Sequence, residues 1–224
     1  MEMKEYEFKG IHYLVRFPNN FQEGIQYPTI FALHGAGSRG RDITLVKENP
    51  FFYLTENQED FPFVIIAPQC HTDTWFDIWE TLKEFALYIK TLSYVDAQRV
   101  YGIGASMGGY GTWQMAMSMP SYYAAIVPVC GGGMYWNAWR LKKLPIWAFH
   151  GAKDQTVFVE ESIKMVDKIK SSGGNPKLTI YPENGHDAWT DTYSNMEVYK
   201  WLLEHKNKNA QEKTTELIGS KLFG

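Results

Sequence analysis

Short apolar runs rich in Val, Ile, Phe and Tyr recur at 11–17, 29–33, 63–67, 99–103, 125–129, 146–149 and 177–181, and segments of helical period lie between them. Alternation of this kind predicts an α/β fold: a mainly parallel, twisted sheet with helices on both faces. Ile78, Leu82, Phe85, Ala86 and Ile89 fall on one helical stripe. Val159, Ile163, Val166 and Ile169 fall on another, whose helix stops at Ser171-Ser172-Gly173-Gly174. Both stripes are expected to face the core. A chain of 224 residues buries about three quarters of its unfolded surface around one core, so one domain is expected over 1–205. The stretch 206–224 turns polar and regains apolarity only at Leu217, Ile218, Leu222 and Phe223, as a frayed tail or a docking arm would.

Composition removes several classes of function. The 22 Lys+Arg nearly balance the 25 Asp+Glu, so a polyanion-binding surface is not implied and nucleic acid is not an expected partner. The start, Met1-Glu2-Met3-Lys4-Glu5-Tyr6-Glu7, lacks the apolar core of a signal peptide, and no apolar run approaches the ~18 residues of a membrane span. A cytoplasmic protein with no membrane partner is expected. Cys70 and Cys130 are too few for a disulfide scaffold and form no CxxC pair, so they are expected as reduced, partly buried thiols. His12, His71 and His205 have no partner at metal-ligand spacing, while His34 and His150 precede glycines at strand ends and look like loop braces. No metal and no cofactor is implied.

The strongest chemical signal is Gly104-Ala105-Ser106-Met107-Gly108-Gly109, directly after the strand at 99–103 and directly before a helical segment that runs toward Met119-Pro120. A strand that turns sharply into a helix strains the residue at the turn and crowds its neighbours, so the flanking positions must be small. Such a turn lifts the Ser106 hydroxyl above the sheet and aims a helix N-terminus at it, which favours a developing oxyanion. A serine hydroxyl is a poor nucleophile at neutral pH, so it needs a base, and the base needs an anion to fix its tautomer. The segment after the strand at 146–149 carries Asp154, and the segment after the strand at 177–181 carries His186. Both lie just past the C-terminal ends of strands, where open α/β sheets bind ligands. Asp187 and Asp191 are rival acids, adjacent to the histidine in sequence.

His34-Gly35-Ala36-Gly37-Ser38-Arg39-Gly40 follows the strand at 29–33, and its glycines also match the dinucleotide fingerprint GxGxxG. A nucleotide site would need an acidic residue at the end of the next strand, yet 63–67 runs into Pro68-Gln69-Cys70. The same glycines suit an oxyanion hole made by the backbone N–H groups of Ala36 and Met107.

At this point the chain resembles the compact, lidless carboxylesterases of the α/β-hydrolase superfamily, related to feruloyl esterases and polyhydroxybutyrate-depolymerase-like or predicted-peptidase esterases. The resemblance spans 28–203. It is carried by Leu33-His34-Gly35-Ala36-Gly37, Ala67-Pro68-Gln69-Cys70, the segment from Gly104 to Trp113, Val127-Pro128-Val129-Cys130-Gly131-Gly132-Gly133 and His186-Asp187-Ala188-Trp189. It implies the α/β-hydrolase fold without a large lid and a Ser106, Asp154, His186 triad. Ser38 and Phe158 depart from the family pattern without touching that triad.

The function expected is hydrolysis of small-molecule esters, short-chain or aromatic of the feruloyl type, through an acyl-enzyme. Trp75, Trp136 and Trp139 are candidate walls of an aromatic substrate pocket, alongside the alternative that these rings only pack. One rival is a serine peptidase of the prolyl-oligopeptidase kind, which shares the GxSxGG elbow, although 224 residues leave no room for the propeller that gates such enzymes. The other is a non-catalytic binding protein on the hydrolase fold.

Overall fold

A computed structural model describes residues 3–56, 58 and 61–208. Most of the polar segment predicted as a tail, from residue 209 on, lies outside them. In chain order the elements are β1 (Met3–Phe8), β2 (Ile11–Arg16), β3 (Tyr27–Leu33), α1 (Thr44–Lys47), α2 (Pro50–Glu56), β4 (Val64–Pro68), α3 (Trp79–Ile89) and β5 (Val95–Ala105). They continue with α4 (Met107–Ser118), β6 (Ala125–Val129), β7 (Trp147–Gly151), α5 (Glu160–Ser171), β8 (Lys177–Tyr181), α6 (Trp189–Ser194) and α7 (Met196–Leu203). Short 3-10 turns occupy Ala36–Ser38 and Tyr135–Leu141.

Among the described residues the strands form one 8-stranded sheet in the order β1-β2-β4-β3-β5-β6-β7-β8. Strands β3 to β8 run parallel, and β1 and β2 are antiparallel additions at one edge. Alternation along each strand sends successive side chains to opposite faces. On one face Phe31, Leu33, Val64 and Ile66 pack with Leu82, Phe85 and Ile89 of α3, Trp113 and Met117 of α4, and Met165, Val166 and Ile169 of α5. On the other, Ile30, Ile65, Ile103 and Val127 pack with Phe51 and Phe52 of α2, Tyr193 of α6 and Val198, Tyr199 and Leu202 of α7. The fold is an α/β-hydrolase fold, and between β6 and β7 the described chain carries only the 3-10 turn, with no lid domain.

Two details depart from the sequence expectation. Strand β1 is absent from the apolar runs because Lys4, Glu5 and Glu7 face solvent, as befits an edge strand that must not pair with another sheet. Its hairpin with β2 turns through Lys9 and Gly10, both at positive φ (49° and 82°). In α5 the buried stripe is Ser162, Met165, Val166 and Ile169, while Val159 and Ile163 are only half-buried. The helix is rotated so that the Ser162 hydroxyl reaches buried polar partners described below.

Beyond α7 the chain stays attached: Tyr101 donates its hydroxyl to His205 O at 3.0 Å, and Asn207 N–H bonds Gln98 O at 2.8 Å. Among the described residues no helix is long and apolar enough to cross a membrane.

Candidate active site

Strand β5 ends at Ala105 and α4 begins at Met107, so Ser106 alone makes the turn. It does so at φ 56°, ψ −122°, a region that L-residues other than glycine rarely occupy. Its N–H is tied to Val129 O at 2.9 Å, and its C=O accepts the N–H of Tyr110 at 3.0 Å in the first turn of α4. The glycines around it are required by contact. A Cβ on Gly108 would land on the Leu33 carbonyl, one on Gly104 on the Gly108 carbonyl, and one on Gly109 2.6 Å from Val129 O.

The turn leaves the Ser106 hydroxyl 2.9 Å from His186 Nε2, and His186 Nδ1 lies 2.7 Å from Asp154 Oδ2. His186 follows β8, and Asp154 follows β7. The Asp154 carboxylate is fully buried, with Oδ1 accepting the N–H groups of Thr156 and Val157, both at 2.9 Å. Burial opposes ionisation here, but the hydrogen bonds from His186 and from these two N–H groups outweigh it, and the carboxyl is held below the usual carboxylate range. The rival acids are engaged elsewhere. Asp187 accepts Thr190 N–H and Oγ1–H at the start of α6, and Asp191 accepts Asn184 Nδ2–H at 2.6 Å.

Two peptide planes complete the geometry. Among the described residues every peptide bond is trans, so a carbonyl and the following N–H point in opposite directions. The Gly35 carbonyl is turned inward, accepting from His34 Nδ1 at 2.6 Å, which turns the Ala36 N–H outward. The Ser106 carbonyl runs along α4, which turns the Met107 N–H off the helix N-terminus. Neither N–H bonds an acceptor among the described residues.

His34 sets the first of these planes. Its Nε2 accepts Cys70 N–H at 2.9 Å, so the proton sits on Nδ1, and burial pushes the ring down to about 4, keeping it neutral. Both Ala36 and Ser106 line a cleft of about 410 Å³, open beside His186.

A family comparison decides what this arrangement belongs to. Residues 63–221 match the dienelactone hydrolase family. The chain belongs to that family.

Feruloyl esterase D of Neurospora crassa is 21% identical over 92% of this chain and 76% of its own length. Dipeptidyl-peptidase 5 of Aspergillus fumigatus is 23% identical over 93% of this chain, which spans only 37% of that protein. The crystal structure of a thermostable esterase superposes with a TM-score of 0.76 at 30% identity, over 92% of this chain and 63% of that one.

The walls of the cleft differ from those expected. Trp75 is fully buried: its Nε1–H donates to His34 O at 3.1 Å and its ring packs on His34, so it props the Ala36 loop from beneath. Trp136 and Trp139 are 62% and 50% exposed on the 3-10 turn after β6 and are not among the residues that line the cleft. Its walls are instead Leu33, Asn49, Pro50, Thr156, Trp189 and Tyr193. Asn49 precedes α2 and Pro50 opens it, in a stretch with no chemical motif. Trp189 stands edge-on to the His186 ring at 5.2 Å, and its place in His186-Asp187-Ala188-Trp189 was the one available signal.

Cys130, His150 and Asp154 bring one donor atom each within 4.8 Å of one another. Asp154 and His150 hold hydrogen bonds to His186, Ser162 and Val157, and burial pushes the Cys130 thiol up to about 12. Cys70 and Cys130 are both buried and free.

Proposed function

We propose that the protein is a serine carboxylesterase in which Ser106 is the nucleophile, His186 the general base and acid, and Asp154 the residue that fixes the His186 tautomer. The single observation that carries this reading is the unbroken hydrogen-bond chain from Ser106 Oγ through His186 to Asp154, beginning at a strained serine beside two outward N–H groups. Asp154 accepts from Nδ1–H, which leaves Nε2 with the lone pair to take the Ser106 proton. As that proton leaves, Oγ bonds the ester carbonyl carbon, and the carbonyl oxygen becomes an anion facing the N–H groups of Ala36 and Met107. Collapse expels the alcohol, which takes the proton from His186 Nε2 and leaves an ester on Ser106. Water then repeats the sequence, giving its proton to His186 and its oxygen to the acyl carbon, so that the acid leaves and Ser106 is restored.

The cleft supports a reading of the substrate class. Leu33, Pro50, Trp189 and Tyr193 form an apolar slot suited to a planar or short acyl group, in line with relatives named feruloyl esterases. The similarity to dipeptidyl-peptidase 5 supports a second reading, a serine peptidase acting through the same residues. A panel of p-nitrophenyl acetate, methyl ferulate and a dipeptidyl p-nitroanilide, run beside fluorophosphonate labelling, separates the readings. The expected result is labelling at Ser106 with turnover of the esters. Turnover of the anilide alone would give the peptidase, and no labelling would reject a catalytic serine.

A further inference from the structure

His150 stands at the end of β7 with no exposed surface. It touches neither Ser106 nor the cleft, yet its Nε2 lies 3.3 Å from the same Asp154 Oδ2 that receives His186. Asp154 therefore sits between two imidazoles.

The proton count around His150 is constrained. Nε2 is 2.8 Å from Val157 O, which can only accept, so Nε2 carries a proton shared between that carbonyl and the carboxylate. Nδ1 is 2.8 Å from Ser162 Oγ, and Ser162 Oγ is 2.9 Å from Gly131 O, another pure acceptor. A serine has one proton. If it goes to Gly131 O, the Nδ1 contact is a hydrogen bond only when Nδ1 is itself protonated. With a neutral ring, one of the two contacts would set lone pair against lone pair in a dry site, at a cost comparable to an unsatisfied polar group.

We infer that His150 is a buried imidazolium, protonated on both nitrogens and ion-paired with Asp154, and that it is a positioning residue for the acid of the site. This rests on the proposed roles of Ser106, His186 and Asp154. The ring ties the Asp154 loop at Val157 to α5 at Ser162 and, through Ser162, to the chain after β6 at Gly131, which fixes Oδ2 in front of His186. Its charge has a second consequence. A lone Asp154 carboxylate favours the protonated, inactive form of His186, and a cation on the other side of that carboxylate offsets its field. The ionisable neighbours of the pair are Cys130 from the end of β6, Tyr110 from α4, Glu161 beside Ser162 in α5, and His186 and Asp187 from the loop after β8.

The test uses the full chain with ring-¹⁵N-labelled histidine. At pH 8, where an unpaired histidine is neutral, one histidine is expected to show both ring nitrogens protonated, and His150→Gln should remove that signal. Ring spectra that are neutral for every histidine at pH 8 would overturn the imidazolium. Should His150→Gln not fold, Ser162→Ala keeps the imidazole but takes away the acceptor of Nδ1–H, and it should shift this resonance alone; no shift would equally count against the inference. In folded His150→Gln, which retains an N–H but no charge, the acidic limb of kcat/KM should move to higher pH by on the order of half a unit. A limb that stays in place while only the melting temperature falls would reduce His150 to packing. The nitrogen spectra are read without substrate, so they stand apart from any failure of the esterase reading.

Discussion

Ser106 holds a backbone conformation that its own side chain disfavours, and the geometry at this one residue separates chemistry from stability. Ser106→Ala removes the hydroxyl and keeps the strain, whereas Ser106→Gly removes both. Both variants are expected to lose essentially all turnover of an ester, and Ser106→Gly should be the more stable by about 1 kcal/mol in urea unfolding, because glycine accepts φ 56° without penalty. Either variant keeping more than a few per cent of wild-type kcat would remove Ser106 from the mechanism. At Asp154 the expectation concerns the tautomer. Asp154→Asn offers His186 an amide donor in place of an acceptor, and kcat should fall on the order of 10⁴-fold. Asp187→Asn should leave kcat within a few-fold, since Asp187 only caps α6. Measuring the two side by side decides which carboxylate serves His186.

Elements supply what residues cannot: the direction of an N–H group. The Ala36 N–H faces outward because His34, held by Cys70 and Trp75, draws the Gly35 carbonyl inward. Ala36 opens a 3-10 turn and follows a residue with ψ 178°, both compatible with proline, so Ala36→Pro deletes the donor with little disturbance of the loop. Its kcat is expected to fall about 10²- to 10³-fold, with fluorophosphonate labelling slowed and the circular dichroism spectrum unchanged. Near wild-type kcat would place the second donor on another N–H of the loop. The elbow depends equally on the contact between α4 and the end of β6. A Cβ on Gly109 would meet Val129 O at 2.6 Å, backbone against backbone with nothing free to yield. Gly109→Ala should therefore lower the melting temperature as well as the activity, unlike Ala36→Pro.

Across the whole molecule, pH acts on stability as well as on catalysis. His34 is buried and neutral, its ring pushed down to about 4 from an ordinary 6.5. A depressed folded-state value means that the unfolded chain takes up the proton first as pH falls. The stability linked to His34 is thus fully present above pH 6.5 and is lost progressively down to about pH 4, a change of up to about 3 kcal/mol. Urea unfolding at pH 7.5 and pH 5 should show this loss, and His34→Gln should flatten it while lowering stability at pH 7.5. An unchanged slope in that variant would mean that other groups carry the acid sensitivity. The same buried ring orients the Ala36 peptide, so acid is expected to weaken the site and the fold together.

Period and composition determined the layers of this protein, because burial on two faces of a parallel sheet demands continuous apolar runs and one-sided helices. They also marked Ser106, Asp154 and His186, since a strained turn requires glycine neighbours and the ends of parallel strands converge on one edge. Strand β1 escaped notice because an edge strand is selected for charge and not for apolarity. The tertiary structure alone decided which carboxylate meets His186, because distance along the chain says nothing about where Asp187 directs its oxygens. It alone showed that Trp75 is a prop under the Ala36 loop and that Trp136 and Trp139 are exposed and do not line the cleft, since an aromatic ring has the same sequence signature in a core, on a surface or in a substrate wall. The setting of His150 was likewise invisible in sequence: its partners Val157, Ser162 and Asp154 come from a loop and a helix that only packing brings around one ring.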